Sequence, residues 1–123
     1  LKTLQEALVS VVKDPRGTAN FRLRGLTIPV AGKTGTAESG NGLSHAWFAG
    51  YTTSAASANL PDIAIAVIVE NIGEGSDYAA PIFRWMVETY FYGAPQSIPW
   101  FGPIGNQYTP TPFGGIPTKT PKP

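Results

Sequence analysis

Two strand-like segments joined by a short, glycine-rich stretch constrain the fold of this chain more than any other feature. The first covers residues 26–38, where an apolar run continues into Gly-Lys-Thr-Gly-Thr, and its valine and threonine residues favour an extended backbone. The second is the aromatic run at residues 45–51. Residues 39–44 between them are polar and rich in glycine, which suits a hairpin. We therefore expect two neighbouring antiparallel strands.

A third strand is predicted at residues 63–69, where apolar and largely β-branched residues follow one another without a break. An unbroken run of this kind indicates a strand that is covered on both faces. The chain contains too little predicted helix to cover both faces. We therefore expect part of the cover to come from sequence outside this chain.

Two amphipathic helices accompany the strands. The first opens the chain and ends at Asp14 and Pro15, because proline cannot continue a helix. Its apolar stripe consists of Leu1, Leu4, Leu8, Val11 and Val12. The second is predicted at residues 78–92 and should lie on the sheet. Its stripe consists of Ile82, Phe83, Met86, Val87 and Tyr90.

The predicted fold class is therefore α/β of the α+β type, an antiparallel sheet with packed helices. Two helices on three strands bury little apolar surface, so independent stability is expected to be marginal. The chain also begins with Leu1 rather than methionine. We expect it to be part of a longer protein.

The composition argues against several classes of partner. The net charge is +1 and no cluster of lysine and arginine stands out, so neither nucleic acid nor an acidic membrane surface is an expected partner. The longest apolar run is far shorter than the roughly 20 residues that span a bilayer. The chain has no cysteine and a single histidine, so we expect no metal site and no cofactor.

A change in composition near Gly93 divides the chain into a body, residues 1–92, and a tail, residues 93–123. Prolines and glycines recur in the tail, which predicts turns and polyproline-like backbone. The tail is either a flexible extension or a segment that lies along a folded surface. Its aromatic residues, which favour the second reading, are Trp100, Phe101, Tyr108 and Phe113.

The sequence Gly-Lys-Thr at residues 32–34 also occurs in phosphate-binding loops. That motif requires a glycine at the position of Thr27, and it should open a helix. Here the upstream residues are those of an apolar strand, and a second strand-like run follows. The spacing therefore argues against a nucleotide site.

Four segments in order carry a more specific resemblance. They are Val-Ala-Gly-Lys-Thr-Gly-Thr-Ala-Glu at residues 30–38, His-Ala-Trp-Phe-Ala-Gly-Tyr at 45–51, the third strand with its following asparagine at 64–71, and Ala-Ala-Pro-Ile-Phe at 79–83. Together with the Gly-Thr-Ala step at residues 17–19, they resemble penicillin-binding transpeptidases, nearer the class B than the class A type. The resemblance runs from about Leu4 to Tyr92 and identifies the chain as the C-terminal part of such a domain.

The resemblance implies roles for individual residues of the Lys-Thr-Gly strand. Lys33 would present a cation near the terminal carboxylate of the substrate and favour proton movement. The hydroxyls of Thr34 and Thr36 would line the carboxylate pocket, and the backbone N–H of Thr36 would form half of the oxyanion hole. Gly35 would let the substrate backbone pair with the strand.

The implied function is that of a peptidoglycan D,D-transpeptidase on the extracytoplasmic face of the bacterial membrane, anchored through missing N-terminal sequence. Such an enzyme binds penicillin and cross-links D-alanyl-D-alanine stem peptides by acyl transfer through a serine. That serine is expected upstream of this chain, so the chain alone should be inactive. A non-catalytic β-lactam-sensing or scaffolding domain and a β-lactamase fragment are the alternatives.

Other candidate residues fit less well. Ser10 and Lys13 match the nucleophile pattern Ser-x-x-Lys, but they lie too close to Lys33 for the order found in the family. The Ser-x-Asn copies at residues 39–41 and 57–59 fall after the Lys-Thr-Gly strand, where that motif is not expected. His45 is interpreted as a residue at the start of a strand rather than a general base.

Overall fold

The computed structural model describes residues 1–40, 42–53 and 59–96, together with the backbone of two short strands beyond them. Its elements are α1 (Lys2–Lys13), α2 (Asn20–Leu23), β1 (Val30–Ala37), β2 (His45–Thr52), β3 (Ala64–Val69), α3 (Ala79–Tyr92), β4 (Tyr108–Thr109) and β5 (Thr118–Lys119). The three strands and two long helices predicted for the body are confirmed. The predicted fold class, helices packed on an antiparallel sheet, is likewise confirmed.

The three body strands form one antiparallel sheet in the order β1-β2-β3. β1 and β2 pair along their whole length, from Val30 opposite Thr52 to Ala37 opposite His45, which confirms the predicted hairpin. β1 is an edge strand of this sheet. One edge of the Lys-Thr-Gly strand therefore has no partner strand among the described residues.

The core lies between one face of the sheet and α3. Phe48 on β2 and Phe83 on α3 are fully buried, with ring centroids 4.6 Å apart. Gly50 lies beside them, and a Cβ atom there would come within 2.9 Å of the Phe83 ring. The predicted packing of the second helix on the sheet is thus confirmed. A glycine on β2 is what allows the helix to approach this closely.

The opposite face of the sheet is open along β2 and β3. Because successive side chains alternate, Trp47 and Ile68 lie on the same face in paired strands, and they are 40% and 45% exposed. Ala64 and Ala66 on this face are also exposed. Within the described residues, the cover that the β3 sequence predicts on both faces is therefore present on only one, which agrees with the small amount of helix in this part of the chain.

The apolar stripe of α1 is only partly buried. Val12 is buried and Val11 is half-buried against the core, but Leu1 and Leu4 are 93% and 58% exposed. The predicted amphipathic helix is present, but the N-terminal part of its stripe has no packing partner among the described residues. α1 reaches the core only through its C-terminal half, before the chain turns at the extended residue Asp14.

Helix α2 was not expected from the sequence, because four residues are too few to show a helical period. Tertiary contacts hold it in place. Leu23 is buried, and the Asn20 side chain donates to the carbonyl oxygens of Val12 and Lys13 at 2.9 and 3.2 Å. These bonds satisfy carbonyl groups that the end of α1 leaves without a helical partner.

Helix α3 ends at Tyr92, and Gly93 follows in a left-handed conformation with φ 77°. The predicted boundary between body and tail therefore coincides with a helix end. In the tail, β4 and β5 pair with each other, and the sequence did not predict them. The predicted docking of the tail and its aromatic side chains lies outside the described residues. No helix in the described part of the chain is long and apolar enough to cross a membrane.

Candidate active site

Lys33 lies in the middle of the edge strand β1, with its side chain exposed. Its ammonium group donates to the backbone carbonyl of Thr34 at 2.7 Å. It forms no ion pair with any carboxylate of the described residues. The cation is therefore available to an anionic ligand.

The hydroxyl of Thr34 contacts a residue that the sequence did not identify as part of the site. Thr18 and Thr34 have their hydroxyl oxygens 2.8 Å apart. Thr18 is brought there by the tight turn between α1 and α2, in which a Cβ atom at Gly17 would lie 2.2 Å from the carbonyl oxygen of Val11. Glycine at position 17 is thus a steric requirement for placing Thr18 beside the strand.

The hydroxyl of Thr36 donates to the carboxylate of Glu74, with Oγ1 and Oε2 2.7 Å apart. Glu74 lies in the loop between β3 and α3 and is exposed. Nothing in the local sequence pattern indicates this pairing, because the two residues are 38 positions apart.

Gly35 is enclosed between two close neighbours. A Cβ atom there would lie 3.3 Å from Cβ of Trp47, its partner on β2. The buried Gly75 approaches the Gly35 backbone so closely that a Cβ atom at position 75 would lie 2.4 Å from the Gly35 carbonyl oxygen. The loop of residues 70–78 therefore packs directly on the Lys-Thr-Gly strand.

The count of hydroxyl hydrogens shows what these groups can bind. In the pair of Thr18 and Thr34, one hydrogen lies in the shared bond and the other stays available, since neither hydroxyl has a further partner among the described residues. The hydrogen of Thr36 is already donated to Glu74. Lys33 supplies a cation and the Thr18–Thr34 pair a hydroxyl donor, and each is a kind of group that can bind a carboxylate.

The remaining candidates do not join this site. Ser10 is exposed on α1, and the part of the chain that the structure describes offers no partner for its hydroxyl. His45 accepts the backbone N–H of Asn71 on Nδ1 at 3.0 Å, which agrees with a structural role at the start of β2. The two downstream Ser-x-Asn copies lie partly outside the described residues.

A comparison with known protein families shows which family this chain belongs to. The family model described as penicillin binding protein transpeptidase domain matches residues 1–88. The chain belongs to the penicillin-binding protein transpeptidase family. The resemblance found in the sequence is thereby confirmed.

A solved structure supports the same assignment for this transpeptidase chain. It is the crystal structure of penicillin-binding protein 2 of Pseudomonas aeruginosa in complex with WCK 5153, with a TM-score of 0.61 and 36% sequence identity. The match covers 72% of this chain and 18% of that one, so the transpeptidase chain spans less than a fifth of its relative. No curated protein matches the chain.

Proposed function

We propose that this chain is the part of a peptidoglycan D,D-transpeptidase that carries the Lys-Thr-Gly strand. In this enzyme the stem peptide would acylate a serine that lies upstream of the chain. The observation that carries this proposal is the exposed cation of Lys33, free of ion pairs within the described residues, on a strand whose next residue, Thr34, pairs its hydroxyl with that of Thr18. D-Alanyl-D-alanine ends in a carboxylate, and a penicillin carries one too. Both are anions of the kind that this strand can hold.

In the proposed reaction the serine oxygen attacks the carbonyl carbon between the two D-alanine residues. The amide bond breaks and the terminal D-alanine leaves with the serine proton. An amine of a second stem peptide then attacks the ester, forms the new amide bond, and returns a proton to the serine oxygen as the ester bond breaks. Lys33 holds the substrate carboxylate and favours proton transfer through neighbouring hydrogen-bonded groups. The backbone N–H of Thr36 and that of the serine stabilise the oxyanion, and losing one such donor costs about 3 kcal/mol.

In this proposal the substrate backbone lies close to β1 at Gly35, because glycine has no side chain that would keep it away. β1 is an edge strand of the described sheet, and an extended peptide can pair with such an edge. A side chain at position 35 would project toward Trp47 on the open face of the sheet. The stem peptide or the opened penicillin would lie along this edge.

The rest of the protein completes the domain in our proposal. A groove of about 580 Å³ between β3 and α3 is lined mainly by apolar side chains, among them Ile65, Trp85 and Met86. Leu1 and Leu4 on α1 are exposed as well. Residues 1–92 would belong to the transpeptidase domain and 93–123 would extend from it. The missing sequence would cover these apolar surfaces and anchor the enzyme on the extracytoplasmic side of the membrane.

The proposal is tested by incubating the full-length protein that contains this chain with a fluorescent penicillin and measuring its intact mass. One acyl group per molecule is expected, together with release of D-alanine from a stem-peptide mimic. The 123-residue chain by itself should form no adduct. Acylation without D-alanine release would instead indicate a β-lactam-sensing domain, and rapid loss of the adduct would indicate a β-lactamase.

A further inference from the structure

Glu74 contacts Thr36 through a carboxylate, which is the same group that the proposed substrate would present to this hydroxyl. A carboxylate oxygen of Glu74 accepts the Thr36 hydroxyl at 2.7 Å, which is the usual distance for an O–H donor and an ionised acceptor. A substrate carboxylate bound to the same hydroxyl would require the same hydrogen. A threonine hydroxyl has only one hydrogen to donate.

The loop that carries Glu74 is held at both ends, so the carboxylate is presented to the strand in a fixed place. At one end, the backbone N–H groups of Ile72 and Gly73 donate to the Ser44 carbonyl, both at 3.0 Å. At the other, the Gly75 carbonyl accepts the N–H groups of Ala79 and Ala80, the first residues of α3, at 3.1 and 3.0 Å.

Gly75 brings the loop onto the strand itself. It is buried, and a Cβ atom there would meet the carbonyl oxygens of Trp47 and Gly35 at 2.2 and 2.4 Å. The residue next to Glu74 thus lies directly on the two paired strands. Glu74 reaches Thr36 because its own backbone cannot move away from β1 without separating Gly75 from the sheet.

From this geometry we infer that Glu74 is an internal competitor of the ligand carboxylate for the Thr36 hydroxyl. This inference rests on the proposed function and names a residue that limits the affinity of the site. Two carboxylates cannot share one hydroxyl hydrogen without repulsion. A ligand therefore either displaces Glu74 from Thr36 or is confined to the donors at Thr34, Thr18 and Lys33. In both cases the Glu74 carboxylate weakens binding of an anionic ligand.

The test measures acylation of the full-length protein by a fluorescent penicillin over a range of penicillin concentrations. The half-saturating concentration and the maximal rate are then obtained separately. The Glu74→Gln variant replaces the ionised acceptor by a neutral amide oxygen, which bonds the Thr36 hydroxyl more weakly and is displaced more easily by a ligand carboxylate. We expect its half-saturating concentration to fall about three- to tenfold, the range for an exposed hydrogen bond to a charged group, with a much smaller change in maximal rate.

Glu70 provides the matched control. It lies on the approach to the same loop, is exposed, and has neither an ion pair nor a hydrogen-bonded side chain among the described residues. Glu70→Gln changes the net charge by the same amount, so it should leave the half-saturating concentration within a factor of two. An equal effect of both variants would overturn the inference, because it would show a general change in charge rather than competition at one hydroxyl.

A double-mutant cycle separates competition from an unrelated structural effect. If Glu74 acts through the Thr36 hydroxyl, Glu74→Gln should no longer improve binding in a Thr36→Val background. A persistent improvement would contradict the inference. Absence of any adduct with the unsubstituted protein would overturn the proposed function together with this inference. Normal acylation with no effect of Glu74→Gln would overturn the inference alone.

Discussion

Arg84 and Glu88 form an ion pair one turn apart on α3, with Nε and Oε1 2.6 Å apart and the Glu88 side chain 1% exposed. The Arg84 guanidinium also donates to the carbonyl oxygens of Arg22 and Arg24, at 3.1 and 2.9 Å. Glu88 in turn accepts the backbone N–H of Gln96. One buried charge pair thus connects α3 to the segment that leads into the Lys-Thr-Gly strand.

Removing one partner of this pair should strongly destabilise the protein. The Glu88→Ala variant leaves the Arg84 guanidinium largely buried without its carboxylate, which typically costs about 3–5 kcal/mol. Urea unfolding of the full-length protein measures the change. The exposed Glu38→Ala serves as control and should change stability by less than about 0.5 kcal/mol. A loss below 1 kcal/mol for Glu88→Ala would show that the pair contributes little.

Gly75→Ala should impair both folding and acylation. The added Cβ atom would lie 2.2 Å from the Trp47 carbonyl oxygen, so the loop or the strand must shift. Overpacking of this kind costs about 1–3 kcal/mol. We expect a lower melting temperature and a slower reaction with penicillin, whereas Ser76→Ala at the next position should resemble the unsubstituted protein. Unchanged acylation by the Gly75→Ala variant would show that the loop does not hold the strand.

Thr18→Val should weaken penicillin binding although Thr18 lies outside the Lys-Thr-Gly motif. Valine preserves the shape of the side chain and removes the hydroxyl that pairs with Thr34. The Thr34 hydroxyl keeps its hydrogen but loses the partner that orients it, so we expect the half-saturating penicillin concentration to rise about three- to tenfold, the range for one hydrogen bond of this type. Thr18→Ser should restore binding, because it returns the hydroxyl. Failure of serine to restore it would point to packing as the cause.

Lys33→Met should abolish most of the acylation without unfolding the protein. Methionine retains an unbranched side chain and removes the cation, and the Lys33 side chain is exposed with no ion pair in the described part of the molecule. Loss of a group that assists proton transfer lowers rates by about 10²–10⁴-fold. The acylation rate and the melting temperature are measured together. A large fall in melting temperature would assign Lys33 a structural role instead.

The strands and long helices were predictable because each has a periodicity that a short window of sequence displays. The hairpin of β1 and β2 follows from two extended segments and the glycine-rich stretch between them. Phe83 and Val87 of the predicted α3 stripe are buried, whereas Met86 and Tyr90 of the same stripe are 46% and 38% exposed. Family resemblance then assigned roles to Lys33 and its neighbours, which the structure places on one edge strand.

Other features depended on contacts between residues far apart in the chain. Helix α2 is too short to show a period. Its own Asn20 side chain donates to the end of α1, and the Arg84 side chain of α3 donates to its backbone. The exposure of Leu1 and Leu4 contradicts their regular spacing, because a stripe is buried only where a partner surface reaches it. The spacing of apolar residues along a helix predicts which side chains share a face, but it does not predict what covers that face.

The sequence by itself determined the order of strands and helices, the Lys-Thr-Gly strand and the resemblance to the transpeptidase family. Only the tertiary structure decided which groups meet the hydroxyls of that strand. Thr18 reaches Thr34 across 16 positions and Glu74 reaches Thr36 across 38. Local periodicity carries no information about such pairs, since a hydrogen bond depends on the distance between two atoms in space and not on the separation of their residues along the chain.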